Sequence, residues 1–141
     1  MSDLDTPKRT AIEVLEAGYD AFNRRDTGRL RELLTDDFQW NEAEGVPGRK
    51  VCDSADEFLA YIDGFDQLWE DFSFEPLRIE PSAGGAFVVK VRGVGRGKAS
   101  GHQAELLIHH VWRLRGGRVE RMDAFLDEHD AADAADAPRE S

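Results

Sequence analysis

The chain has 141 residues, of which 40% are hydrophobic and 33% are charged, a balance that can build one domain core and excludes wholesale disorder. Its formal net charge of −11 argues against nucleic acid and anionic membranes as partners, because both attract basic patches. The single cysteine excludes an intramolecular disulfide, and no apolar stretch is long enough for a transmembrane helix.

The chain is predicted to open with helices. Residues 1–7 are expected to be a flexible N-terminus, and because they lack the apolar stretch of a signal segment we expect a cytoplasmic protein. The pair Thr6-Pro7 suits the start of a helix over residues 8–23, in which apolar residues recur every three or four positions. A second, shorter helix is predicted near residues 27–34.

A short strand and a third helix follow. Residues 38–42 alternate between apolar and polar side chains, which is typical of a strand. Ser54 and Glu57 have the spacing of a capping box, so they predict the start of a helix that ends near residue 68.

The second half of the chain has the period of strands. Four antiparallel strands are predicted, over residues 72–80, 86–94, 103–115 and 118–127. The glycine-rich segment 93–101 could be a bulge or a hairpin loop, and no helix follows it, so a phosphate-binding loop is not indicated.

Helices followed by strands predict an α+β fold, here as one domain over residues 8–129. The sheet is expected to curl, with three N-terminal helices closing the other side of a cone. The acidic residues 130–141 are predicted to be a disordered tail.

The last hairpin contains the residues best suited to chemistry. A two-residue turn at Gly116-Gly117 would fix the register of its strands and place His110 opposite Asp123. Alternation then puts ionisable side chains on the same inward, apolar face: His110, Arg121, Asp123 and Asp127.

A buried histidine beside a carboxylate has a fixed ring orientation and a shifted proton affinity, so His110 could serve as a general acid or base. In the alternative, His110 and Asp123 only satisfy each other or lie at the wet mouth of the barrel. Arg121 could equally stack on Trp112.

Two further residues are candidates for a pocket. Glu42 alternates with Trp40 and could face inward, although a surface carboxylate is an alternative. Tyr19 lies on the apolar face of the first helix, either as a core tyrosine or as a hydroxyl donor in the pocket. Neighbouring His109 and His110 would point to opposite faces of a strand, so no metal site is predicted.

These residues carry a resemblance to a known family. The chain resembles the SnoaL-like branch of the nuclear transport factor 2-like superfamily, whose ketosteroid isomerase-like members share a cone fold. Three stretches carry the likeness: 19–38, 69–76, and 110–119 with its closing segment 125–127.

The resemblance implies a curved antiparallel or mixed sheet with three helices around a conical pocket, usually in a homodimer. Family members include polyketide cyclases, ketosteroid isomerases, dehydratases and epoxide hydrolases, and no cofactor is implied. His110 matches the pocket acid/base of the penultimate strand, and Asp127 matches an aspartate after the last strand. Glu42 falls near the carboxylate base of the isomerases.

We therefore expect a protein that binds a small hydrophobic, carbonyl-bearing ligand and, if it is an enzyme, catalyses cyclisation, isomerisation or dehydration by proton transfer. His110 would be the acid/base, with Asp123, Asp127 or Glu42 as carboxylates. The expected substrate-binding residues are Tyr19, Trp40, Phe58, Trp112 and Arg121. The alternatives are a non-catalytic ligand-binding or dimerisation module, and a protein-docking surface at the open end of the cone.

Overall fold

The computed structural model describes residues 5–45 and 49–137. The main part of the predicted flexible N-terminus, residues 1–4, and the end of the predicted tail, residues 138–141, lie outside the described residues. None of the helices in the described ranges is both long and apolar enough to cross a membrane.

Three helices occur in the first half of the chain, as the sequence predicts. They are α1 (Asp5–Asn23), α2 (Thr27–Leu33) and α3 (Ala55–Leu68). Helix α3 begins as expected, because the Ser54 hydroxyl accepts the backbone N–H of Glu57 at 3.1 Å. The Glu57 carboxylate in turn accepts the N–H of Asp53 at 2.7 Å, one residue before the capping-box position.

Six strands form one curved, mixed sheet, which confirms the predicted fold class. The strands are β1 (Leu34–Asn41), β2 (Val51–Cys52), β3 (Trp69–Pro81), β4 (Phe87–Gly97), β5 (Gln103–Arg115) and β6 (Arg118–Phe125). Their order is β2-β1-β6-β5-β4-β3, and every pair is antiparallel except β1 with β6. The three N-terminal helices pack against the concave face, where Leu15, Phe38 and Ile62 are buried in the main core.

The predicted register of the β5–β6 hairpin is wrong beyond its first two pairs. The turn forms as expected, with Gly116 and Gly117 at φ values of 59° and 80°, a conformation that favours glycine. A register shift then follows Val119, because β6 contains one extra residue there, Glu120. His110 consequently pairs with Ala124 rather than with Asp123.

The bulge reverses the two faces of β6 relative to the prediction. Trp112 pairs with Met122, and both side chains belong to the buried core. Asp123 pairs instead with Val111 on the outer face of the sheet. One inserted residue is enough for this exchange, because side chains alternate with a period of two.

A fourth helix, α4 (Glu128–Asp136), occupies most of the described part of the predicted disordered tail, so that prediction is wrong for residues 130–136. Its buried face consists of Ala131 and Ala135, which pack with Val111 on the outer face of the sheet. Gly84 allows this close approach, since a Cβ there would lie 2.4 Å from the carbonyl oxygen of Ala135.

Candidate functional site

A pocket of about 520 Å³ opens between α3 and the concave face of the sheet. Its wall is largely aromatic and includes Trp40, Phe65, Trp69, Phe72 and Phe74. Titratable side chains are few in the lining: Glu42, Tyr61, Glu105 and His110. This combination of an apolar wall with a few polar groups is typical of a small-molecule site.

Two exposed leucines, one from α3 and one from β5, belong to the pocket lining. Leu68 is 69% exposed and Leu106 is 44% exposed. A hydrophobic ligand would cover both of them, because apolar surface is driven out of water.

The glycine-rich segment forms part of this pocket. Residues 93–97 lie in strand β4 rather than in a bulge or loop, and the chain turns only after Gly97. A Cβ at Gly95 would lie 2.9 Å from a ring carbon of Phe72 and 3.2 Å from one of Trp69. The glycine therefore lets two aromatic rings lie directly against the sheet.

His110 lines the pocket but is only 1% exposed. Its Nδ1 lies 2.7 Å from the hydroxyl oxygen of Tyr19, which also accepts a 2.8 Å hydrogen bond from Nε1 of Trp112. Its Nε2 has no hydrogen-bond partner among the described residues. Burial lowers the pKa of His110 to about 3, with a smaller contribution from neighbouring His109, so the imidazole is neutral at physiological pH.

The ionisable residues predicted to accompany His110 lie elsewhere. The carboxylate of Asp123 accepts hydrogen bonds from Nε of Arg121 at 2.7 Å and from Asn41 at 3.1 Å. Asp127 is the N-cap of α4 and accepts the N–H of Asp130 at 2.9 Å. These groups are already satisfied on the outer side of the sheet, and none of them lines the pocket.

Glu42 is the carboxylate that the structure does bring to the pocket. Its Oε1 accepts hydrogen bonds from the Tyr61 hydroxyl and from Nε1 of Trp40, the latter at 3.3 Å. Its Oε2 accepts the backbone N–H of Lys50 at 2.9 Å. Burial raises the pKa of Tyr61, and the adjacent Glu42 raises it further, so the tyrosine hydroxyl keeps its proton.

Of the predicted binding residues, one lines the pocket, three lie behind its wall and one lies on the outer side of the sheet. Trp40 lines the pocket itself, whereas Tyr19, Phe58 and Trp112 border a separate apolar void of about 30 Å³. Phe58 stacks on Trp40 with ring centroids 4.6 Å apart, so it supports the wall from behind. Arg121 lies on the outer side and does not stack on Trp112 as one interpretation of the sequence had it.

Sequence reasoning did not select Tyr61 as a site residue. The sequence does indicate that Tyr61 belongs to the apolar face of α3, because Phe65 and Leu68 follow it by four and seven positions. The contact with Glu42 could not be inferred, since it joins a helix to the end of a strand. In the described part of the chain, no group of three or more His, Cys, Asp or Glu side chains is placed to hold a metal ion.

The arrangement gives one apolar pocket a carboxylate and a neutral imidazole. A carboxylate can accept a proton from a bound molecule, and an imidazole nitrogen can exchange a hydrogen bond with a ligand oxygen or nitrogen. The pairing of His110 with Asp123 or Asp127, which would have made the histidine a strong base, is absent.

Similar structures share the whole architecture. An NTF2-like protein of unknown function from Burkholderia pseudomallei is 24% identical, with a TM-score of 0.70 over 91% of this chain and 98% of that one. A putative SnoaL-like polyketide cyclase from Jannaschia sp. CCS1 is 17% identical, with a TM-score of 0.71 over 93% of this chain and 94% of that one.

A third structure, TerC co-crystallized with polyporic acid, is 18% identical, with a TM-score of 0.72 over 91% of this chain and 99% of that one. At these identities the likenesses show the fold. No curated protein is similar enough to be matched.

The family itself is shown by the sequence. The model of the SnoaL-like domain matches residues 15–122, which cover the second half of α1 and all the strands up to the middle of β6. The match and the shared fold confirm the resemblance found in the sequence: this chain belongs to the SnoaL-like domain family and has the fold of NTF2-like proteins.

Proposed function

We propose that the chain binds an uncharged, hydrophobic small molecule bearing a carbonyl group, and that it catalyses cofactor-free proton transfer on this ligand. The observation that carries the proposal is the presence, in one aromatic pocket, of the Glu42 carboxylate and of a buried His110 nitrogen without a partner among the described residues. Cyclisation, isomerisation and dehydration all use such a transfer.

The size and lining of the pocket support a ligand of this class. A volume of about 520 Å³ lies within the range of roughly 300–1,000 Å³ that small-molecule sites occupy. Aromatic walls favour a flat apolar body, and two polar points suffice to orient it. The related structure co-crystallized with polyporic acid is consistent with a small molecule in this fold.

The proposed step uses the two polar groups for different tasks. Glu42 takes a proton from the carbon next to the carbonyl: the C–H bond breaks, its electron pair forms a C=C bond, and negative charge moves to the carbonyl oxygen. His110 contacts that oxygen. In a ligand whose carbonyl is followed by a β,γ C=C bond, the enolate is a dienolate, and return of the proton to its γ carbon would complete an isomerisation. This assigns the acid/base task to Glu42 and gives His110, whose pKa is about 3, a role that needs no protonated ring.

Exchange of solvent deuterium into uncharged bicyclic to tetracyclic ketones would test the proposal. The wild-type protein should bind such ketones, seen as a change in tryptophan fluorescence because Trp40 and Trp69 line the pocket, and should accelerate exchange at the carbon next to the carbonyl. Glu42→Gln should lower the exchange rate by about 10²-fold or more, since general bases contribute roughly 10²–10⁴-fold.

Glu44→Gln is the matched control, because Glu44 is exposed and does not line this pocket. Its exchange rate should equal that of the wild type. Binding with no accelerated exchange would contradict catalysis and leave the non-catalytic ligand-binding module. Absence of binding by every ketone would overturn the proposal as a whole.

The homodimer and the cytoplasmic location expected from the sequence belong to the same proposal. Light scattering should give twice the chain mass of 15.8 kDa, and cell fractionation should recover the chain with cytoplasmic markers. A monomer at all accessible concentrations would contradict the first expectation, and recovery outside the cytoplasm would contradict the second.

A further inference from the structure

We infer that Tyr19 is a positioning residue that fixes the proton of His110 on Nε2, so that the pocket presents a neutral N–H donor to the ligand. The inference rests on the proposed function for the ligand, but the position of the proton can be tested without one. It follows from the hydrogen bonds of three buried side chains: Tyr19, His110 and Trp112.

The Trp112 indole sets the direction of the chain of hydrogen bonds. An indole nitrogen can only donate, so the Tyr19 oxygen accepts the 2.8 Å bond from Trp112. The Tyr19 hydroxyl hydrogen then needs an acceptor, and among the described residues the one within reach is Nδ1 of His110, at 2.7 Å. A nitrogen that accepts a hydrogen bond carries no proton. In a neutral ring the proton is therefore on Nε2.

The other tautomer leaves more polar groups unsatisfied. If Nδ1 carried the proton, both His110 and Trp112 would donate to Tyr19, and the hydroxyl hydrogen would have no acceptor within the described residues. Tyr19 is only 5% exposed, so water cannot readily replace that acceptor. Each tautomer leaves one hydrogen without a partner among the described residues, but the second also leaves the Nε2 lone pair unused. In the first tautomer the unsatisfied hydrogen is on Nε2 of His110, which lines the pocket, so a ligand can accept it, whereas Tyr19 does not line the pocket. The first tautomer is therefore favoured.

The charged forms of the pair are also disfavoured. Burial raises the pKa of Tyr19 and lowers that of His110, so neither a tyrosinate nor an imidazolium forms near neutral pH. The imidazole ring is held in place by edge-on contacts with Trp40 and Phe74, at centroid distances of 5.7 and 5.2 Å. His110 is thus a fixed, neutral donor.

A fixed neutral donor determines which ligand group can lie against it. Nε2–H can donate a hydrogen bond to a carbonyl oxygen, but it cannot form one with a ligand group that is only a donor. A ligand carboxylate would find no cation at His110 and would share the pocket with Glu42. The pocket should therefore select molecules with an uncharged acceptor oxygen at this point. As negative charge develops on that oxygen, the same N–H would stabilise it.

Nuclear magnetic resonance of the ligand-free protein tests the position of the proton. With ¹⁵N-labelled histidine, the bare and the protonated ring nitrogens have distinct shifts, and the His110 signals are identified by their loss in His110→Gln. We expect a bare Nδ1 and a protonated Nε2 throughout pH 5–8. A protonated Nδ1, an even mixture of tautomers, or titration of His110 near pH 6.5 would overturn the inference.

Two tyrosine variants separate positioning from general packing. Tyr19→Phe removes the donor to Nδ1 and should give a mixture of tautomers. Tyr61→Phe is the matched control, because it deletes a hydroxyl that bonds Glu42 instead of His110, and it should leave the His110 shifts unchanged. If Tyr19→Phe does not fold, the wild-type spectrum still decides the question.

Ligand binding provides the second readout. The wild-type protein should bind a polycyclic ketone at least about fivefold more tightly than the analogue with CH₂ in place of C=O, because one hydrogen bond is lost, and Tyr19→Phe should reduce this ratio. An unchanged ratio in a folded Tyr19→Phe would contradict the positioning role. Failure of all ketones to bind, together with the expected spectrum, would overturn the proposed function and leave the assigned tautomer standing.

Discussion

Two polar side chains, one on each face of the sheet, differ in how their hydrogen-bonding groups are satisfied. On the outer face, Asp123 is fully engaged by Arg121 and Asn41. On the concave face, His110 keeps a buried nitrogen without a partner in the described chain, inside an aromatic pocket. Because an unpaired buried polar group is costly, it indicates a function, whereas a satisfied ion pair needs none.

The comparison predicts a strong pH dependence of stability that comes from the concave face. The pKa of His110 is lowered from 6.5 to about 3 in the folded chain, so the unfolded chain binds more protons between these values. Stability should therefore fall as the pH decreases through this window, by up to about 1.4 kcal/mol per pH unit for this group.

Urea unfolding of the wild type and of His110→Leu isolates that contribution from the many carboxylates. Between pH 6.5 and about pH 4, the wild type should lose roughly 3 kcal/mol more than the variant. Equal losses in the two proteins would show that His110 titrates normally and is not held neutral.

Two glycines on the pocket side of β4 allow a steric test of how closely the aromatic rings pack on the sheet. Gly95→Ala should destabilise the chain by about 1–3 kcal/mol and weaken ligand binding, because the new methyl group would press on Phe72 and Trp69. Gly93→Ala is the control on the same strand face, since its Cβ would lie 3.5 Å from Phe74, an ordinary contact. Thermal unfolding of both variants measures the difference, and equal melting temperatures would contradict the described packing.

The smallest expected effect lies on the outer face. Asp127→Ala should lower the free energy of unfolding by about 1 kcal/mol, because it removes the N-cap of α4, and should leave ketone exchange unchanged. Asp133→Ala, within α4, is the control for loss of a nearby charge. Loss of exchange in a folded Asp127→Ala would instead restore the catalytic role that the sequence suggested for this residue.

Local patterns predicted much of the fold. The bounds of β5, Gln103–Arg115, match the predicted strand, and the cap at Ser54 and the glycine turn follow from residue preferences within a few positions. The position of His110 on the inward face could also be predicted, because it depends only on the alternation of side chains along one strand.

The predictions from the sequence were wrong where a contact between distant residues, or one inserted residue, determined the structure. Nothing in the alternation around Glu120 marks it as a bulge, yet this residue moves Asp123 from the predicted interior to the outer face. The alanine face of α4 is too small to stand out in an acidic segment, and it is stabilised by packing on the sheet. The Glu42–Tyr61 contact likewise depends on tertiary structure.

A crystal structure with a bound polycyclic ketone would show directly whether His110 and Glu42 contact the ligand as proposed. We expect the ketone inside the pocket, with its carbonyl oxygen about 2.7–3.2 Å from Nε2 of His110 and the adjacent carbon facing Glu42. A ketone bound in the pocket with its oxygen turned away from His110, or bound only at the outer face beside Asp123, would contradict this expectation.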